Sequence, residues 1–243
     1  MAKSKRADIL LVERGYFESR ARAKAAIDAG LVRADGAPVG KPSERLRDDA
    51  TLEAQAPHPF VSRGGMKLEA ALDAFGIDPA RRICLDVGAS TGGFSHLLLI
   101  RGAAKVIAVD VGHGQLHASL AAEPRLLSLE GTDIRALEAL PGSAVPDLTV
   151  IDVSFISLEA VLPAVSRLSA PRAELVALVK PQFEVGRALV RKGVVRTAAA
   201  QEAACARIAA KLEELGWTVL GTIVSPIAGG DGNREFLIGA RHG

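Results

Sequence analysis

The stretch Asp86-Val87-Gly88-Ala89-Ser90-Thr91-Gly92-Gly93-Phe94 decides the fold. It follows the short apolar run Ile83-Cys84-Leu85 and leads into a second apolar run that reaches Ile100. That order reads as a strand, a glycine-rich loop and a helix. Glycines there let a ligand approach the backbone and leave N–H groups free at a helix start. Two familiar readings fit poorly. A dinucleotide loop, Gly-x-Gly-x-x-Gly, needs its second glycine where Ser90 stands. A hydrolase elbow, Gly-x-Ser-x-Gly, matches residues 88–92 literally but needs a late histidine. The only histidine after His117 is His242, one residue from the end.

Carboxylates recur downstream at the same kind of place. Asp86 sits in the first strand, Asp110 ends the second strand 24 residues later, Asp133 follows the third, and Asp152 ends the fourth. Open α/β sheets bind ligands at the carboxyl ends of their strands, where a carboxylate accepts ribose hydroxyls. The competing reading is that each aspartate caps the helix after it. Four in succession around a glycine loop favour a ligand, and a nucleoside carrying a sulfonium accounts for more of these residues than the other two readings.

The rest of the chain from Arg82 repeats the rhythm. Strands are predicted at 83–87, 106–110, 127–129, 148–152, 175–179, 217–224 and 236–240, with a long helix at 198–215. Alternation of strands and helices predicts a mostly parallel, doubly wound α/β sheet. Residues 225–234 are too few for a right-handed crossover, so the last two strands are expected to close the sheet as an antiparallel pair.

Upstream, residues 6–55 read as a separate small α+β unit. A helix at 7–14 stops at Gly15; Ser19 caps a second helix at 20–29, closed by Gly30. Strands follow at 31–33 and 51–53 around the turn Ala34-Asp35-Gly36. Pro57-His58-Pro59 marks a linker, placing domains at 1–56 and 63–243 joined by 57–62. A further helix is expected at 68–75, with Lys67 just before it. Residues 1–47 carry 11 Lys/Arg against 6 Asp/Glu, while the whole chain is only +2. A basic module on a mildly acidic body fits a polyanion partner, although a solvated basic face is an equal reading.

Composition narrows the class further. The 243 residues are 49% hydrophobic and 24% charged, an ordinary globular mixture. No run approaches the roughly 18 apolar residues of a membrane span, and the basic start lacks the apolar core of a signal peptide. Cys84 and Cys205 both lie in apolar patterns, as buried thiols of a reducing cytoplasm. Five scattered histidines without cysteine partners argue against a metal site. Lys180 ends an apolar strand before Pro181, where an unpaired cation is costly, so Asp152 or Glu235 is expected beside it.

Several motifs together resemble the TlyA family, a small S4-like RNA-binding module fused to an FtsJ/RrmJ-like, Rossmann-like methyltransferase domain. In the small unit they are Leu11-Val12-Glu13-Arg14-Gly15, Ser19-Arg20 and Lys41-Pro42-Ser43. In the large one they are Val61-Ser62-Arg63-Gly64-Gly65, the glycine loop, Asp152-Val153-Ser154-Phe155-Ile156-Ser157, Val179-Lys180-Pro181-Gln182-Phe183-Glu184 and Gly232-Asn233-Arg234-Glu235-Phe236. The resemblance covers essentially the whole chain. It implies S-adenosylmethionine as cofactor, ribosomal RNA or ribosomal subunits as partner, a cytidine ribose 2′-hydroxyl as target and a cytoplasmic location. By it, Lys67, Asp152, Lys180 and Glu235 form a catalytic tetrad. Asp86, Gly88, Ala89, Ser90, Gly92, Gly93, Phe94, Asp110, Asp133 and Asp152 hold the cofactor. Arg6, Arg14, Arg20, Lys24, Lys41 and Arg63 are expected to face RNA, and a loop with Arg187, Arg191, Lys192 and Arg196 to close over it. The family also carries a haemolysin label. A membrane-active protein and a non-catalytic RNA binder are the alternatives; the absence of a spanning segment and the retained tetrad count against them.

Overall fold

The computed structural model describes residues 4–229 and 232–243, except the Arg187 side chain. The connection at 225–234 therefore falls partly outside the described residues, at Gly230 and Asp231. The chain divides into two units after Pro59.

The small unit holds β1 (Ser4–Arg6), α1 (Ala7–Glu13), α2 (Arg20–Asp28), β2 (Val32–Ala34), β3 (Ala37–Pro38), β4 (Arg45–Arg47) and β5 (Leu52–Ala54). Ser19 caps α2, its hydroxyl accepting from Arg22 N at 3.3 Å. Asp35 and Gly36, both at positive φ, turn β2 into β3, and β5 pairs with β2 on its other side. The β1–β4 pair was not read from the sequence, because each strand is three residues long and rich in basic residues. Leu10, Leu11, Phe17, Ala26, Ile27 and Val32 form the core under the two helices.

The large unit begins at Phe60, earlier than the predicted boundary. Phe60 is buried, and its ring packs where a side chain on Gly65 would stand: a Cβ there would lie 2.3 Å from the ring. That close approach lets α3 (Gly64–Phe75) begin four residues before the predicted start, so Lys67 lies in its first turn and not ahead of it. The αL residue Gly76 ends α3. Then come β6 (Ile83–Val87), α4 (Gly93–Ile100), β7 (Lys105–Val109), α5 (Ala118–Ala121), β8 (Leu126–Leu129), β9 (Leu148–Ile151), α6 (Leu158–Leu168), β10 (Ala173–Val179), α7 (Pro181–Glu184), α8 (Ala198–Glu214), β11 (Thr218–Val224) and β12 (Phe236–His242).

These seven strands form one sheet in the order β11-β12-β10-β9-β6-β7-β8. Strands β6 to β10 are parallel to their neighbours in that set. Strand β12 inserts between β10 and β11, antiparallel to both. Strands β9 and β10 are almost wholly buried, as expected of strands covered on both faces. One core packs α6 and α8 against the sheet with Leu85, Ile107, Ile151, Leu175 and Trp217. Another packs α3 and α4 on the opposite face with Leu68, Leu72, Leu97, Leu98 and Val176. All the loops from a parallel strand into its helix therefore open on one edge of the sheet, which is where the glycine loop lies.

Candidate active site

Two cavities meet at that edge. The larger, about 760 Å³, is lined by Asp110, Gln115, Asp133, Asp152, Phe155 and neighbours. The smaller, about 330 Å³, is lined by Arg63, Lys67, Phe94, Asp152, Ser154, Lys180 and neighbours. Gly88, Ser90, Asp152 and Ser154 line both. A molecule filling the larger space thus reaches the floor of the smaller.

The glycine loop is shaped by close approach. Gly88 has φ +82°, and a Cβ there would stand 2.5 Å from the Asp152 carbonyl oxygen. Gly92 has φ +88° and is crowded by Leu120; it starts α4 but lines neither cavity. Ala89, Gly93 and Phe94 line the smaller cavity. Asp110 organises the loop: Oδ2 accepts from Ser90 N and Oδ1 from Gly112 N, each at 2.7 Å. Each carboxylate oxygen keeps a second lone pair for a ligand hydroxyl. Gln115 is fastened beside it by a 2.9 Å bond with Ser90 Oγ. Glu130, missed by the sequence reading, accepts from the N–H groups of Gly114 and Gln115 at 2.8 and 3.1 Å. Those backbone donors hold its carboxyl below the usual range. Asp133 caps a 3₁₀ turn and is paired with Arg135 at 2.6 Å, which keeps it ionised on the cavity wall.

Asp86 departs from the prediction. It is fully buried, accepts from Ser95 Oγ at 2.7 Å and lines neither cavity. Burial pushes its carboxyl up to about 7, opposed by the Ser95 bond and reinforced by Asp152 and Asp110. It therefore supports the loop from below and cannot touch a ligand. Burial likewise pushes the Cys84 thiol up to about 12 and Cys205 up to about 11, so neither is a nucleophile.

The four residues expected to form a tetrad come together as two pairs. Lys180 Nζ lies 2.7 Å from Asp152 Oδ1 and donates to Ser154 Oγ at 2.8 Å. Glu235 does not join them; it accepts from Lys67 Nζ at 2.5 Å, both side chains nearly buried. Strand β12 brings Glu235 in, and α3 packs on that strand, as the Phe75 ring over Gly239 records. The first turn of α3 then delivers Lys67 to Glu235.

Phe155 was also missed. It is 92% exposed with φ +64°, and its ring lies 5.2 Å from that of Phe183. Positive φ at a bulky residue stores strain and tends to mark functional sites. Its sequence signal, one phenylalanine between Val153 and Ile156, is too weak to read alone, because all three look like core residues.

The small unit's cations are mostly engaged. Arg6 and Arg20 both bind the buried Asp8, at 2.9 and 2.8 Å. Arg14 donates to Ala50 O at 2.5 Å and also to Asp48 O. Lys24 pairs with Asp28 at 3.0 Å. Lys41 is exposed and unpaired among the described residues. In the large unit, Arg63 is exposed on the smaller cavity. Arg191 and Val194 close a tight hairpin through positive-φ Lys192 and Gly193, leaving Arg191, Lys192 and Arg196 exposed and without an ion pair among the described residues. Asn233 ties this hairpin down, donating to Gly193 O at 2.8 Å and accepting from Val195 N at 3.3 Å. The hairpin is thus tied to Asn233 at residues 193 and 195; the Arg187 side chain lies outside the described residues. Among the described residues no group of three or more His, Cys, Asp or Glu side chains could hold a metal ion.

A sheet of this strand order, with its last strand reversed and a glycine loop over an acid-walled cavity, is the Rossmann-like methyltransferase class. Residues 60–242 match the FtsJ-like methyltransferase family and residues 5–52 the S4 domain, and the chain belongs to the TlyA family that joins the two. It is 46% identical to the 16S/23S rRNA (cytidine-2′-O)-methyltransferase TlyA of Mycobacterium tuberculosis, over 99% of this chain and 91% of that one. It is 37% identical to Hemolysin A of Brachyspira hyodysenteriae, over 96% of this chain and 98% of that one. Among solved structures, a Streptococcus thermophilus protein that carries a hemolysin name superposes with TM-score 0.78 at 39% identity, covering 100% of this chain and 90% of that one.

Proposed function

We propose that this chain transfers a methyl group from S-adenosylmethionine to a cytidine ribose 2′-hydroxyl of ribosomal RNA. The observation that carries the reading is the position of Lys180 Nζ, held by Asp152 and Ser154 where the two cavities join. The cofactor fits the larger cavity: its volume suits a nucleoside with an amino-acid tail, and Asp110 and Asp133 stand on its wall. Asp110 would accept its ribose hydroxyls and Asp133 its adenine amine. S-adenosylmethionine supplies an electrophilic methyl carbon when bound.

The residues of this chain supply position and a base. Asp152, at the junction, orients Lys180, and Lys180 Nζ, acting as the neutral amine, takes the proton of the ribose hydroxyl. Such a base contributes on the order of 10²–10⁴-fold. Lys67 lines the smaller cavity, fixed in an ion pair by Glu235, which does not line it. Fixed geometry accounts for up to roughly 7–11 kcal/mol of the barrier in reactions of this kind. Arg63, Lys41 and the Arg191–Lys192 hairpin supply phosphate contacts, and Phe155 a stacking face for an unpaired base. Arg6, Arg14, Arg20 and Lys24 contribute to RNA binding only where they exchange or share their present partners. A ribosomal substrate is met in the cytoplasm, and that is the location this reading implies. No helix among the described residues is long and apolar enough to cross a membrane, and no observation favours the hemolysin name as an activity.

The test is calorimetric titration with S-adenosylmethionine followed by methyl transfer to ribosomal subunits. Wild type should bind and turn over, Asp110→Ala should lose binding, and Lys180→Ala should bind but not turn over. Turnover by Lys180→Ala would remove the base assignment. Saturable binding without methylation of any ribosomal RNA would overturn the substrate.

A further inference from the structure

The segment that carries Asp152, Ser154 and Phe155 and the segment that carries Lys180 and Phe183 come from different strands. Their relative position is what sets the 2.7 Å Lys180–Asp152 pair and the 5.2 Å ring contact. One side chain spans them away from the cavities. Glu184 is 3% exposed at the end of α7 and lines neither cavity. Its Oε2 accepts from Ser157 Oγ at 2.6 Å and its Oε1 from Leu158 N at 2.9 Å, at the start of α6. Arg207, on α8, closes the arrangement from outside. It lies 3.3 Å from Glu184 Oε2, donates to the Glu184 carbonyl and pairs with Glu159 at 3.2 Å.

We propose that Glu184 is a positioning residue for methyl transfer: it locks the 152–158 segment to the 180–184 segment, and so sets Lys180 and Phe155 against the reacting ribose. The physical case is economy of constraint. Residues 152–157 include an exposed aromatic at positive φ, and no residue of the segment is fully buried; Val153 and Ile156 only edge the core. A buried carboxylate with three donors from two other elements is costly to displace, and its geometry is narrow. Burying the charge also requires that all three partners stay in place. Capping α6 alone would need only the bonds to Ser157 and Leu158; the Arg207 clamp and the position four residues past Lys180 are what couple the cap to the site.

This inference rests on the methyl-transfer reading, and its test separates the two. Glu184→Ala, Glu184→Gln and Ser157→Ala would be compared for thermal unfolding, S-adenosylmethionine affinity, single-turnover methylation of ribosomal subunits and backbone hydrogen exchange. Glutamine keeps an acceptor for Leu158 N and a donor that Ser157 Oγ can take. Expected is a loss of about 10²-fold in rate for Glu184→Ala with cofactor affinity within about threefold, since a misplacement near 1 Å costs that much. Glu184→Gln should recover most of the rate, and Ser157→Ala should fall between. Exchange at residues 153–158 should rise in the alanine variant and stay low in the glutamine one. Full turnover by a folded Glu184→Ala, or a rate loss matched by equal losses in cofactor affinity, would overturn the proposal. Should Glu184→Ala not fold, wild-type rate and unchanged exchange in Ser157→Ala would overturn it. Wild type that binds cofactor but methylates no subunit refutes the substrate reading instead, and exchange at 153–158 still decides whether Glu184 positions the segment.

Discussion

Glu235 follows Lys67 by 168 residues in the chain, yet their side chains meet at 2.5 Å in a nearly buried ion pair. Neither residue is near the other by any local rule. The pair joins the first turn of α3 to the residue before β12, and of the two only Lys67 lines the smaller cavity. Removing one partner strands the other as a buried charge, which costs about 3–5 kcal/mol. Lys67→Met and Glu235→Leu alone should each lower the unfolding midpoint sharply. The double variant should regain most of that stability and still fail to methylate. Equal instability of the double variant, by calorimetry, would show that the pair is held by something other than charge compensation.

Phe155 is the exposed aromatic of the site, so its truncation separates binding from folding. Phe155→Ala should change stability within about 0.5 kcal/mol, as surface substitutions do. A stacked base is worth about 1–3 kcal/mol, so apparent affinity for ribosomal RNA should fall accordingly. The methylation rate at low RNA concentration should drop by more than cofactor affinity measured by calorimetry, since Phe155 stands only at the exposed edge of the larger cavity.

Asp86 gives the fold a pH dependence of unusual sign for a carboxylate. Its group is raised from 3.8 to about 7, so the folded state holds a proton that the unfolded chain releases. Between about pH 4 and pH 7 the native state binds more protons, and this group's contribution to stability falls as pH rises. Asp86→Asn keeps an acceptor for Ser95 and carries no charge. Urea unfolding of that variant across the same window should show a flatter profile than wild type. Superimposable profiles would mean that the native carboxyl ionises freely.

Asp8 works in the opposite direction in the small unit. Arg6 first, then Arg20, hold it down from 3.8 to about 2. Its stabilisation is present above the ordinary carboxylate range and is lost as pH falls through that interval. Asp8→Ala should destabilise the small unit at neutral pH while releasing Arg6 and Arg20. If those two guanidiniums reach phosphate only when free, RNA affinity of the folded variant rises and its salt dependence steepens by about one contact per arginine released. A shallower slope would show that Asp8 presents the two arginines to RNA in their paired state.

Much of this molecule is legible along the chain because its signals are local. A strand repeats every two residues and a helix every 3.6, so β6, β7, β9 and β10 and the long α8 are written in neighbouring residues. Glycine at 88 and 92 marks a tight loop for the same reason, since positive φ is a property of one residue. The acids at strand ends follow from where the strands stop. What the chain order could not decide is which of these groups touch. Strand β10 lies between β9 and β12, so Asp152 and Glu235 were both candidates for Lys180; the packing of α3 on β12 supplies Lys67 to Glu235 and leaves Asp152 to Lys180. Asp86 and Asp110 look alike in sequence, but side chains alternate across a strand, and the one within β6 is buried while the one just past β7 faces the cavity. Basic residues of the small unit likewise read as free charges until Asp8 and the carbonyls of residues 48 and 50 are found beside them. Periodicity and turn chemistry are fixed by bonded neighbours, whereas charge pairing, burial and exposure depend on through-space approach, which only the assembled sheet and its helices provide.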